Sequence, residues 1–216
     1  GNMAATYVKL KGLNKEAMYI DDATGKVYSG TALMEAGLPL PFPKAEYEAY
    51  QIALTEVELG RELYKTIKKQ ISTHDKRIVI SIFGGSGCGK TTLSTIISQY
   101  FLNDGTGCYV LSGDHYPKRI PMHNDEERQR IFDEKGTEGL VEYLGTPNEI
   151  KYDAVNQVIE EFKSGATSIS LKKMGRAEGE ISYEDTDFRN IQVLLIEWTH
   201  GGSELSLIHI SEPTRH

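Results

Sequence analysis

The residues Ile78-Val79-Ile80-Ser81-Ile82-Phe83 run directly into Gly84-Gly85-Ser86-Gly87-Cys88-Gly89-Lys90-Thr91, and Thr92-Leu93-Ser94-Thr95-Ile96-Ile97 follows. The first run is apolar and β-branched and reads as a strand; the last reads as the opening of a helix. Between them lies Gly-x-x-x-x-Gly-Lys-Thr. Strand, loop and helix in that order form a phosphate cradle. The glycines let the backbone wrap a polyphosphate with its N–H groups turned inward, and the helix N-terminus adds positive dipole. Lys90 can reach the outer phosphates, and the Thr91 hydroxyl can sit on Mg²⁺. A Gly-rich turn that merely precedes a helix has no reason to match every fixed position. Gly84, Gly85, Ser86, Gly87, Cys88, Gly89, Lys90, Thr91 and Thr92 are therefore the expected binding residues for ATP with its Mg²⁺.

The whole chain sets the limits around that loop. Its 216 residues allow one full domain, or one domain and a fragment. Hydrophobic residues at 39 % and charged residues at 25 % are an ordinary globular balance, sufficient for a core. A net charge of −7 disfavours a nucleic-acid surface, which wants clustered Lys and Arg. No apolar run approaches the ~18–20 residues that cross a bilayer, so no membrane partner is expected. Cys88 and Cys108 have no metal-ligand spacing, and a reducing cytoplasm suits both of them and ATP use. The chain begins at Gly1, so its gene is expected to begin elsewhere. Leu205-Ser-Leu-Ile-His-Ile-Ser-Glu-Pro-Thr-Arg215 resembles a translated sequencing adapter, and residues 205–216 are expected to be non-native.

Residues 1–44 have their own texture. Ala17-Met18-Tyr19-Ile20 and Lys26-Val27-Tyr28-Ser29 flank the turn-rich Asp21–Gly25, a hairpin signal. Pro39, Pro41 and Pro43 then forbid a helix or an inner strand. One hairpin in some forty residues buries too little to stand alone, so this is expected to be part of something larger. From 45 to 76, Tyr47, Tyr50, Leu54, Val57, Leu63 and Ile67 recur at threes and fours, which predicts a connecting helix. From 77 to 204, strands at Ile78–Phe83, Cys108–Ser112 and Ile191–Ile196 alternate with helical stretches that include Asp125–Glu134 and Ala154–Lys163. Weaker extended runs lie at Thr167–Leu171 and Glu180–Tyr183. The expected fold is α/β: a parallel sheet flanked by helices, with a short hairpin before it.

Ligands of such sheets gather at the carboxyl ends of the strands. Asp114 follows the second strand there and can accept a proton from a substrate hydroxyl as a phosphoryl group departs, or help hold Mg²⁺; it can equally cap a turn. His115, Tyr116, Lys118 and Arg119 come next and can meet sugar hydroxyls and phosphate, or be solvated loop residues. Glu197 ends the third strand, where a carboxylate orients Mg²⁺ or its waters; Trp198 and His200 can line the pocket. A small GTPase would place Asp-x-x-Gly at Glu197–Gly201, and a transporter ATPase would carry Leu-Ser-Gly-Gly-Gln. This chain has neither, which leaves a small-molecule kinase.

Ser81–Thr92, Asp114-His115 and Leu195-Ile196-Glu197 together resemble the uridine kinase and phosphoribulokinase branch of P-loop kinases. That resemblance implies a general base at Asp114, phosphate and Mg²⁺ roles for Lys90 and Thr91, and a carboxylate near the metal at Glu197. The front segment is different. Leu10-Lys11-Gly12-Leu13, Gly25–Gly30 and Ala32–Pro41 are similar to the C-terminal β-domain of bacterial α-galactosidases. An α-galactosidase tail joined to a P-loop kinase resembles the bifunctional α-galactosidase/sucrose kinases of gut bacteria. That arrangement implies sucrose, released from raffinose, as the phosphoryl acceptor, and a longer parent that forms homo-oligomers. Family kinases continue with further strands and a basic lid, so the segment alone is expected to be catalytically weak. A nucleoside acceptor such as uridine, or a regulatory nucleotide-binding module, are the rival readings.

Overall fold

The computed structural model describes residues 6–40, 52–58, 60–73, 77–85, 87–175 and 177–199. The chain divides into two compact units, one of residues 1–70 with 95–106 and one of residues 71–94 with 107–216.

The first unit opens with β1 (Thr6–Val8), β2 (Met18–Asp21), β3 (Val27–Ser29), α1 (Gly30–Glu35), β4 (Leu38–Leu40) and β5 (Leu54–Val57), and α2 (Arg61–Thr73) follows. The predicted hairpin is β2–β3, paired Met18 to Ser29 and Ile20 to Val27. Its turn is tied by Asp21, whose carboxylate accepts from Ala23 N at 3.0 Å and Thr24 Oγ1 at 2.6 Å, while Gly25 takes φ 68°. Pro39 sits in β4 opposite Tyr7 of β1, a two-stranded sheet whose open edge tolerates a residue without an N–H. Alternate residues of β2 feed different clusters: Tyr19 joins Ala17, Leu33 and Leu38, whereas Met18 joins Ile96 and Tyr100.

The helix predicted over 45–76 is corrected in part. Residues 45–51 lie outside the described residues, and α2 forms from Arg61, but Leu54–Val57 is a strand. The three-residue spacing of Leu54 and Val57 suits one helix face, whereas in the strand the two point to opposite faces and join different clusters. The free edge of β2 decides, pairing Met18 with Val57 and Ile20 with Thr55, and Gly60 at φ 82° separates strand from helix.

The second unit contains β6 (Ile78–Phe83), the start of α3 (Lys90–Asn103), β7 (Cys108–Ser112), α4 (Pro121–Tyr143), α5 (Tyr152–Lys163), β8 (Ser168–Met174), β9 (Ile181–Asp187) and β10 (Val193–Trp198). β6, β10 and β7 lie in that order in a parallel sheet. β10 is the inner strand, and Val193, Leu194, Leu195 and Ile196 are all fully buried. It begins and ends two residues later than its apolar run predicts. Ile191 N bonds Phe188 O in a turn and Gln192 N bonds Gly107 O, while Glu197 and Trp198 continue the pairing on β6.

α5 lays Val155, Val158, Ile159 and Phe162 into a core with Val79, Leu111, Leu194, Ile196 and Trp198. Arg77 pins the end of this layer. Its Nη1 donates to Phe162 O at 3.0 Å and Ala166 O at 2.7 Å, its Nη2 to Phe188 O at 2.7 Å, and its plane lies over the Phe162 ring. α4 runs longer than Asp125–Glu134 in both directions, starting on Pro121 and broken at Gly136. The weak extended runs are β8 and β9, an antiparallel pair. Among the described residues no helix is long and apolar enough to cross a membrane.

Candidate active site

The parallel register brings the strand ends level: Glu197 faces Ile82 and Ser112, and Trp198 faces Phe83. Loop, carboxylate and turn therefore meet at one edge of the sheet. Gly84 N donates to Trp198 O at 3.3 Å, anchoring the start of the Gly-rich loop. Gly87 at φ 76° and Gly89 at φ 91° hold left-handed conformations that a side chain would strain. Ser86 lies outside the described residues. Gly85, Cys88 and Thr92 are exposed. Lys90 is 9 % exposed and folds back over the loop, its Nζ donating to Gly85 O at 2.7 Å. At the first turn of α3 the Thr91 hydroxyl is hydrogen-bonded to a carboxylate oxygen of Glu197. A hydroxyl and a carboxylate are the hard oxygen ligands that Mg²⁺ prefers, with its remaining positions left to water and phosphate. Among the described residues no group of three or more His, Cys, Asp or Glu could hold a metal by itself.

Asp114 lies in a single 3-10 turn, Gly113–His115, directly after β7. Its carboxylate accepts from Thr199 N at 3.4 Å and Thr199 Oγ1 at 3.3 Å. The turn must carry glycine before Asp114, because a Cβ on Gly113 would lie 2.5 Å from the Trp198 ring. Trp198 is 2 % exposed and packs at a tilt on Tyr152, with centroids 5.2 Å apart. Against these residues opens a cavity of about 370 Å³, lined by Asp114, Asn124, Asp125, Arg128, Trp198 and Thr199 among others. That is the lower end of the ~300–1,000 Å³ range of small-molecule sites.

His115, Tyr116, Lys118 and Arg119 do not share one environment. Tyr116 is 3 % exposed and its hydroxyl accepts from Lys172 N, so it is a core residue rather than a ligand contact. His115 is half-buried and does not line the cavity. The Arg119 guanidinium donates to Tyr143 Oη at 3.0 Å and Asn148 O at 3.3 Å. Lys118 and Arg119 border a second, more open cavity of about 780 Å³ with His123 and Arg130, away from Asp114. Sequence reading also passed over Asn124, Arg128 and Glu149. Asn124 and Arg128 stand four apart and so share a face of α4, the one signal available. Nothing local marks Glu149, which is 1 % exposed.

Residues 79–209 match the phosphoribulokinase/uridine kinase family. The chain belongs to that family. It is a phosphoribulokinase/uridine kinase family member with a foreign front segment, since residues 1–54 match the glycosyl hydrolase family 36 C-terminal domain. Both resemblances read from the sequence recur here. Over 204 residues, 94 % of this chain, it is 55 % identical to the bifunctional α-galactosidase/sucrose kinase AgaSK of Mediterraneibacter gnavus. The chain spans 22 % of that protein's length. Among solved structures, the galactosidase domain of AgaSK is 54 % identical over 26 % of this chain and 8 % of its own, with a TM-score of 0.25. A putative fructose transport system kinase from a Silicibacter species is 16 % identical over 66 % of this family member and 64 % of its own chain, with a TM-score of 0.49. A possible uridine kinase from Bacillus stearothermophilus is 22 % identical over 63 % and 70 %, with a TM-score of 0.44.

Proposed function

We propose that this chain carries an ATP-dependent kinase that transfers a phosphoryl group to a hydroxyl of a small sugar, with sucrose as the foremost acceptor. The observation that carries the reading is the meeting of Thr91 and Glu197 at the edge of the sheet that also presents Asp114. The loop from Gly84 to Thr92 would hold the ATP phosphates, with Lys90 exchanging its bond to Gly85 O for phosphate oxygens. Thr91 and Glu197 would hold Mg²⁺, which neutralises charge on the phosphates when bound. Asp114 would take the proton of the acceptor hydroxyl, its carboxylate being held by Thr199 at the turn after β7. The sugar is suggested by the relative that names a sucrose kinase. Uridine remains the second acceptor to test, because the family name includes uridine kinases.

We further propose that residues 1–44 are a remnant of an α-galactosidase β-domain, 45–76 a connector and 77–204 the kinase, within a longer homo-oligomeric parent for raffinose use. A cytoplasmic site suits ATP and the free Cys88 and Cys108 thiols. The deciding experiment offers sucrose, glucose, fructose and uridine separately with Mg²⁺–ATP to the longer parent, since the segment alone is expected to be weak, and measures ADP release. Turnover with sucrose alone supports the reading. Turnover with uridine alone replaces the acceptor, and ADP release with none of the four overturns the kinase function.

A further inference from the structure

The cavity beside Asp114 carries more information than its base. Its lining includes the carboxylates of Asp114 and Asp125, which can accept hydrogen bonds from hydroxyls, and the apolar ring of Trp198. A neutral polyol also needs a donor to its oxygens. Arg128 is the cation of that lining. Its Nε and Nη2 both bond one oxygen of Glu149, at 2.6 and 2.5 Å, and its Nη1 stands 3.7 Å from Asp125, beyond hydrogen-bond reach. The Nε–Nη2 edge of the guanidinium is thus fixed, and the Nη1 end keeps N–H groups for a ligand.

Glu149 faces no solvent. One of its oxygens takes both Arg128 bonds and the Asn124 amide at 3.1 Å; the other takes Gly145 N at 2.7 Å. Every contact it makes points at groups beside the cavity or at the loop behind it. A buried ion pair is weak support for stability, since apolar residues of similar volume serve as well or better. What it does supply is orientation, through a two-point hold on a planar donor.

We propose that Arg128 is the acceptor-recognising donor of this cavity and Glu149 its positioning residue, together selecting an uncharged polyhydroxyl ligand. The charge count favours that class. Asp114, Asp125 and Glu149 outnumber Arg128, so a phosphorylated sugar would meet net repulsion. The inference rests on the reading of this cavity as the acceptor site, and its test separates the two.

Binding of sucrose, fructose and fructose 6-phosphate to the whole 216-residue chain is measured by calorimetry, alongside ATP binding and thermal unfolding. Arg128→Met alone would strand the Glu149 charge, so the double variant Arg128→Met/Glu149→Gln is the main test. It should bind sucrose or fructose at least about tenfold more weakly, a loss of about 1.4 kcal/mol, while ATP affinity stays within about twofold. Glu149→Gln alone should weaken sugar binding, yet add little on top of Arg128→Met, because one acts through the other. Fructose 6-phosphate should bind less tightly than fructose to the wild type. Unchanged sugar affinity in the double variant, parallel loss of ATP affinity, or a wild type that binds neither sugar overturns the proposal. Sugar binding by this chain with no ADP release from the longer parent leaves it standing and overturns the kinase reading.

Discussion

Gly113 shows how narrowly one residue can be constrained. A β-carbon there would lie 2.5 Å from the Trp198 ring, so Gly113→Ala must displace either the indole or the turn that carries Asp114. We expect it to reduce sugar-dependent ADP release while leaving ATP affinity intact; equal loss of both would place the defect elsewhere. Asp114→Asn keeps the shape and removes the proposed base, and should lower turnover by roughly 10²–10⁴. The two cysteines offer a chemical check. Burial pushes the Cys108 thiol up to about 12, so it holds little thiolate at pH 8, whereas Cys88 is exposed in the phosphate loop. Iodoacetamide should label Cys88 and spare Cys108, and Mg²⁺–ATP should protect Cys88; peptide mass spectrometry reads both. Lys90, Thr91, Asp114 and Glu197 were legible because strand–loop–helix order and strand ends fix their places. Arg128 and Glu149 were not, because their pairing joins a helix to a distant loop and neither motif nor period records it.

At the level of elements, β8 carries an anomaly. Ile169 and Leu171 alternate inward as a strand should, but Lys172 beside them is also buried, at 8 % exposure. Burial, and then the Lys151 charge, hold its ammonium below the ordinary 10.5. The charged form is therefore penalised in the folded state at neutral pH. That penalty is relieved as pH rises through the depressed value and is gone above the unfolded 10.5. Lys172→Met should raise the unfolding temperature at pH 7, with the advantage shrinking toward pH 10; a variant less stable than wild type at pH 7 would assign Lys172 a stabilising partner. Arg77 acts in the opposite sense. Losing its charged bonds to the carbonyls of Phe162, Ala166 and Phe188 should cost about 2–3 kcal/mol. The Tm of Arg77→Ala should then fall by roughly 4–12 °C. β6 and β7 were readable from their apolar runs, and the β2–β3 hairpin from its turn. β5 was not, since its three-residue apolar spacing has the helical period, and only pairing with the edge of β2, with Leu54 and Val57 half-buried on opposite faces, makes it a strand.

For the molecule as a whole, the Gly-rich loop makes the proposed ligand, ATP with Mg²⁺, the one whose effect on stability is simplest to read. At a hundredfold excess over Kd it should add about 2.7 kcal/mol to the unfolding free energy, and Lys90→Ala should abolish most of that gain. The inner strand of the parallel sheet, β10, is also the last of the three to be made. Its partners β6 and β7 are translated more than eighty residues earlier and cannot pair with each other in the native order. At ~5–20 residues per second, the ribosome leaves that gap open for roughly 4–16 s after β7 emerges. During this interval two apolar strands expose unpaired edges, the state that invites aggregation and chaperone capture. Thr91 waits still longer for Glu197, which lies 106 residues further on. The candidate site is therefore assembled only once β10 has emerged, and a pause before Val193 would leave a nascent chain whose Gly-rich loop is complete but whose sheet has no middle.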